Sequence, residues 1–278
     1  MNPIVKRRMV SVVKYTLMTV YAVITIFPLY WTFVNSFRTN NQIFSKMVLW
    51  PENITYFENY KKIFQQNIPL AFKNSVVLTV ISLLVLTCCA LMAGFVLATY
   101  RFRFAKAIYL LFSMGVVIPR LSILIATFRN FSTFGFLNQQ YPIIFCYVTF
   151  ELPMAIFLIV GFMQALPSSV LESGIIDGCS SLKLMTRIVV PMSRNGLLTM
   201  VILAFVSIWN EYAYSMILLS NRKYKTLTIA LANSKSEFTV QYGMLSAGAV
   251  FAVVPIMIVY FFLQDKIISG IVMGAEKG

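Results

Sequence analysis

The sequence predicts an all-helical, polytopic membrane bundle, and three observations carry that expectation. Hydrophobic residues fill 59% of the 278 positions and charged residues only 12%, a balance outside the usual range of soluble globular chains. No charge occurs from Asn74 to Tyr100 or from Phe238 to Gln264, and a hydrocarbon core needs only roughly 20 apolar residues per helix. Further apolar runs bring the expected transmembrane helices to six, at about 15–37, 75–99, 107–128, 141–165, 196–220 and 243–264.

The first run follows Lys6, Arg7 and Arg8, as a signal peptide would. It is too long for one and no A-x-A cleavage site follows, so a retained helix is expected. Lys14 adds to that basic flank, and Arg101, Arg103 and Lys106 crowd the short turn after the second span. Basic loops stay inside, which places both termini, 101–106 and 166–195 on the cytoplasmic side. The third, fourth and fifth spans are interrupted by Arg120, Glu151 and Glu211. An ionisable residue at a helix centre costs ~2.5 to 3.5 kcal/mol and usually faces a bundle interior or water.

Several function classes drop out. The net charge of +14 is scattered through short loops, which fits membrane topology and anionic lipid headgroups and forms no nucleic-acid-binding domain. Cys88, Cys89, Cys146 and Cys179 lack metal-type spacing, and histidine is absent, so imidazole relays, His-metal sites and Ser-His catalysis are excluded. No G-x-x-x-x-G-K-[ST] loop occurs. The chain is therefore expected to bind no cofactor and to catalyse nothing itself; solute moved uphill needs an ion gradient or a borrowed ATPase. A secondary transporter would show an internal repeat around an ion site, and no clear repeat is present.

One polar island, Leu166 to Asn195, separates the fourth and fifth spans. Pro167 stops the fourth span, and Ser169 with Glu172 fits a capping box. Val170, Leu171, Ile175 and Ile176 fall at helical spacing, Gly178 suits a C-cap, and Leu182, Met185, Ile188 and Val189 define a second helix ending at Pro191. From the residues alone, this is either an ordinary loop or a docking surface for a soluble partner.

Its spacing resembles the E-A-A-x-x-x-G … I-x-L-P loop of the inner-membrane permeases of binding-protein-dependent ABC importers. Glu172-Ser173-Gly174 is followed at the family's distance by Asp177-Gly178 and then by Ile188-Val189-Val190-Pro191. Both alanines of the signature are replaced, and Gly174 should weaken the helix by up to ~1 kcal/mol relative to Ala. The resemblance continues through Phe27-Pro28-Leu29 with Trp31 and Ser36, Asn59-Tyr60, Asn74-Ser75, Phe205 with Trp209-Asn210-Glu211-Tyr212, Lys225-Thr226-Leu227, and the ending Gln264 to Gly278. Its details are similar to the maltose-type carbohydrate permeases.

That resemblance implies a type I importer permease fold and a sugar or oligosaccharide solute. It implies a bacterial inner-membrane protein paired with a homologous second permease and two copies of an ATPase that uses ATP and Mg, and supplied by an extracytoplasmic sugar-binding protein. The implied division is a first helix and outer segment, 1–70, and a permease core, 71–278, with a coupling loop at 166–195 and a tail at 265–278. Glu172 would offer the ATPase a charge or hydrogen bond, Leu171, Ile175 and Ile176 an apolar contact, and Gly178 the turn, with Ser173, Gly174, Asp177 and Pro191 completing the loop. Gly270, Gly274, Lys277 and Gly278 would reach between the ATPase subunits, although three glycines do not support a free helix. The outer stretch 221–243, with Tyr224, Lys225, Thr226 and Asn233, would meet the binding protein.

Glu211, with Trp209, Asn210, Tyr212 and Tyr214, reads as a polar and aromatic patch suited to sugar hydroxyls and ring faces. A structural pairing of Glu211 with Arg120 is equally open. Glu151, followed by helix-bending Pro153, is either part of the same route or a structural partner of Arg120 or Arg129.

Overall fold

The structure, a computed structural model, describes residues 3–45, 49–233 and 241–275. Helix is the only regular structure among them. The chain folds into two compact units, Met1–Pro69 with Leu231–Val254, and Leu70–Ala230 with Pro255–Gly278.

In the first unit, α1 (Pro3–Asn35) is long, apolar and almost wholly exposed on its own. It is followed by α2 (Asn40–Ser45) and α3 (Glu58–Gln65). Ser36 and Asn59-Tyr60 lock the turn after α1: Asn59 Nδ2 donates to the carbonyls of Ser36 and Arg38 at 2.9 Å each, and Ser36 Oγ lies 2.8 Å from the Tyr60 hydroxyl. Gly243 belongs to the same knot, since a Cβ there would sit 2.3 Å from the Arg38 carbonyl oxygen.

The second unit is built around α7 (Gln140–Gln164), which buries Ile143, Ile156 and Ile159 completely. Its neighbours are α4 (Ile68–Thr99), α5 (Ala105–Gly115) and α11 (Arg194–Trp209). Each approaches α7 through a glycine. A Cβ at Gly94 would lie 2.5 Å from Ile159, one at Gly115 2.8 Å from Pro153, and one at Gly196 2.1 Å from the Phe162 ring. Helices in lipid gain little from hydrophobic exclusion and associate by such close packing.

Among the described residues, four helices are long and apolar enough to cross a membrane unbroken: Arg7–Asn35, Ile68–Thr99, Gln140–Gln164 and Tyr242–Phe262. The expected continuous third and fifth spans need correction. Ala105–Gly115 and Arg120–Thr133 meet at 86°, the latter comprising a 3-10 turn, Arg120–Ile123, and α6 (Leu124–Thr133). Pro119 lacks the N–H a continuing helix requires and restricts Ile118 before it. In the fifth span α11 stops at Trp209, and α12 (Ala213–Leu218) restarts after a break at Asn210–Tyr212. α14 (Tyr242–Ala275) corrects the expectation for the tail, because its backbone remains helical through Gly270 and Gly274. A glycine costs about 1 kcal/mol in a helix interior, which cooperative extension of an established helix tolerates. Lys277 and Gly278 lie outside the described residues.

Hydrogen bonds fix which loops share an end of this unit. Tyr100 OH lies 2.7 Å from Ser181 Oγ, joining the 101–106 turn to the polar island. At the opposite end of α4, Asn74 Nδ2 donates to the carbonyls of Lys223 and Lys225 at 2.9 and 3.0 Å, and Leu227 N donates to Ser75 Oγ at 2.9 Å. The motif pairs Asn74-Ser75 and Lys225-Thr226-Leu227 are thus two halves of one clasp.

Candidate functional site

The break at Pro119 turns Arg120 toward α7. Its Nη1 donates to Glu151 Oε1 at 2.7 Å and to Ser207 Oγ at 3.1 Å, and its Nη2 to the Phe150 carbonyl at 3.2 Å. The guanidinium also lies 5.9 Å from the Phe150 ring centroid. Ser207 Oγ donates to the same Glu151 oxygen at 2.6 Å. Glu151 is buried, with 8% of its side chain exposed, whereas Arg120 keeps 44%. A buried carboxylate needs this kind of compensation, because desolvating an unpaired charge costs several kcal/mol.

Glu211 is satisfied differently. Its carboxylate accepts from the backbone N–H groups of Tyr214 and Ser215 at 2.7 and 3.1 Å, from Ser215 Oγ at 3.0 Å, and from Tyr147 OH at 3.2 Å. It therefore caps the first turn of α12, where orphan donors and the helix dipole favour a negative charge. Capturing those two amides is also what ends the fifth span's first helix, since a side chain that binds nearby backbone competes with helix continuation. The pairing of Glu211 with Arg120 left open by the sequence is corrected: the ion partner of Arg120 is Glu151.

Both carboxylates, Arg120 and Tyr214 line one cavity of about 170 Å³, with Leu121, Tyr147, Phe150, Ser207 and Ile208. The Tyr214 hydroxyl donates to the Arg120 carbonyl, at the first residue of the 3-10 turn that follows the break. Trp209, Asn210 and Tyr212 do not line it. Trp209 is buried between Phe72 and Phe205, Asn210 turns back to the Val206 carbonyl, and Tyr212 is exposed. Tyr147 and Ser207 were missed in the sequence. Each lies four residues before an acid, Glu151 and Glu211, so stepping one helical turn back along each span would have found both.

In the outer stretch Thr226 is buried and hydrogen-bonded to Thr228 at 3.0 Å. Lys225 gives its carbonyl to Asn74, and Tyr224 carries the Lys223 ammonium 5.6 Å from its ring centroid. Asn233 is exposed after α13 (Leu227–Ala232).

The polar island forms a helix-turn-helix. α8 (Ser168–Ile176) starts at Pro167, whose extended backbone serves as N-cap without a side-chain bond. The expected capping box is therefore absent: Ser169 lies inside the helix, and its carbonyl accepts from Ser173 Oγ at 2.8 Å. Gly178, at φ +77°, ends α8 in a Schellman turn, with Gly178 N donating to Ile175 O and Cys179 N to Gly174 O, each at 3.0 Å. The next helical run comprises α9 (Ser181–Leu184), a π-turn (Met185–Val189) and α10 (Val190–Met192), and it meets α11 at 80°. Pro191 lies within its last turn.

The expected single apolar face of α8 divides in two. Val170 and Leu171 turn partly inward, and Gly174 is buried so closely that a Cβ there would lie 2.8 and 2.9 Å from the terminal methyls of Leu184 and Ile188. Ile175 and Ile176 point outward at 60% and 84% exposure, beside exposed Glu172, Ser173 and Asp177.

Broken spans around a charged cavity, with a helix-turn-helix at one end, describe a polytopic helical membrane protein. Residues 90–272 match the family of binding-protein-dependent transport system inner membrane components. The chain is 30% identical over 274 residues to the probable starch degradation products transport system permease protein of Thermoanaerobacterium thermosulfurigenes, covering 97% of this chain and 99% of that one. It is 28% identical to the maltodextrin transport system permease protein of Streptococcus pneumoniae, covering 98% of each. The fold also matches a bacterial ABC transporter involved in import of the acidic polysaccharide alginate, with a TM-score of 0.82 at 19% identity over 94% of this chain and 97% of that one. This chain belongs to the family of binding-protein-dependent transport system inner membrane components.

Proposed function

We propose that the chain is the permease subunit of an ATP-driven importer of a sugar or oligosaccharide in a bacterial inner membrane. A homologous permease completes the pore, separate ATPase subunits hydrolyse ATP with Mg, and an extracytoplasmic binding protein delivers the solute. Relatives named for starch degradation products and maltodextrin support the substrate class.

One observation carries the coupling assignment: a short ordered helix, closed by a Schellman turn and packed from behind, exposes Ile175 and Ile176 next to an acid at the end of the bundle. Exposed apolar residues backed by a fixed turn suit insertion into a groove of a soluble partner. Rigid-body motion of α8 then passes through Leu184 and Ile188 to the 80° corner and α11. The C-terminal tail, Gly270 to Gly278, is the second ATPase contact of this reading. Tyr224, Lys225 and Asn233 are its binding-protein contacts, while buried Thr226 positions the backbone. The Arg120–Glu151–Glu211 cavity borders the solute route.

Replacing Glu172 with Lys tests the assignment. Uptake should be abolished while membrane insertion is unchanged; wild-type uptake in a strain lacking other importers would sink it.

A further inference from the structure

The turn between α4 and α5 carries a site that the transport reading does not use. A cavity of about 670 Å³ opens there, with Leu97 and Ala98 at the end of α4, Arg101 and Arg103 in the turn, Lys106 in the first turn of α5 and Gln164 at the end of α7. No carboxylate lines it. Among the described residues none of the three cations joins an ion pair, and all three are exposed. Three like charges within six residues repel one another unless an anion is shared between them.

The surroundings identify the anion's chemistry. Leu97 and Ala98 give the cavity an apolar floor, and elsewhere on the same two helices Met92 and Val96 of α4 and Ile108 and Leu111 of α5 are exposed. Tyr100, Phe102 and Phe104 are exposed around the turn, where aromatic rings mark the level of lipid headgroups. A soluble anion needs no apolar floor; a phospholipid needs both a cationic rim and an apolar floor, and basic pockets between span ends are where anionic headgroups bind.

We propose that this cavity holds the phosphate headgroup of an anionic phospholipid, with its acyl chains along α4 and α5. The site lies one hydrogen bond from the polar island, through Tyr100 and Ser181, so the lipid braces the base of the helix-turn-helix.

Native mass spectrometry of the purified permease complex tests this without any transport readout. Wild type should retain phosphatidylglycerol or cardiolipin in preference to phosphatidylcholine after detergent exchange. The R101Q/R103Q/K106Q variant should bind the anionic lipid roughly 100-fold more weakly, at about 1 kcal/mol per cation. Ala98→Phe keeps every cation but fills the floor, and it should also lose the lipid. Undiminished retention by Ala98→Phe would overturn the cavity in favour of diffuse surface charge. Displacement of the lipid by inorganic phosphate, or equal retention by the triple variant, would overturn the lipid assignment.

Discussion

The polar island and the mid-bundle cavity solve opposite problems. At α8 the chain leaves two isoleucines in the open, next to Glu172, on a helix whose C-terminal turn and back are fixed. In the cavity it does the reverse, placing Glu151 and Glu211 among apolar helices and satisfying both oxygen sets with an arginine, serines, a tyrosine and a helix N-terminus. The contrast separates interaction from architecture. Substitutions in the cavity should change stability first, because every polar group there already has a partner. Substitutions on the outer face of α8 should change function and leave stability alone, because nothing among the described residues covers them.

The largest effect is expected at the ion pair. Arg120→Leu strands Glu151 and should lower stability by about 3 kcal/mol, read as a fall in the melting temperature of the detergent-solubilised protein. The double variant R120L/E151L should recover part of that loss, since no buried charge is left unpaired; a double variant worse than either single one would show that the two sites do not form a unit. Next is Gly196→Val. Its Cβ would meet the Phe162 ring, and overpacking of about 1–3 kcal/mol should appear in the same melting assay.

Gly178→Ala forces an L side chain into a left-handed turn, which costs roughly 1–2 kcal/mol. It should reduce uptake more than it reduces folded yield, because the turn aims α9 rather than holding the core. Gly174→Ala should change stability by less than about 1 kcal/mol. The methyl meets only flexible ends of Leu184 and Ile188, and alanine regains helix propensity. Wild-type uptake by that variant would fit the alanine of the related loop signature, and loss of uptake would show that this chain's loop has tightened around its glycine.

Much of this was legible in the sequence because lipid permits few backbone solutions. The apolar runs located the four unbroken membrane-length helices, and Gly178 marked its turn through the one residue type that enters positive φ freely. The bends were harder to see. Pro119 and Glu211 each sit inside an apolar stretch that hydropathy averages into one helix, and the break arises from a missing N–H in one case and a captured pair of amides in the other. Trp209 was misplaced for a related reason: beyond it the helix ends, so residues 209 to 214 do not share one helical face. The acids' partners were half visible: helical spacing marks Tyr147 and Ser207, but each bonds the acid of the other span, Tyr147 Glu211 and Ser207 Glu151, and the choice of Arg120 by Glu151 depends on the bend at Pro119.

The central claim is that the exposed face of α8 holds the ATPase subunits. Its most direct test is copurification of those subunits with a tagged chain carrying Ile175→Ser and Ile176→Ser, alongside a melting curve of the same preparation. The expected result is loss of the ATPase subunits with an unchanged melting temperature. Retention of both subunits at the wild-type ratio would contradict it.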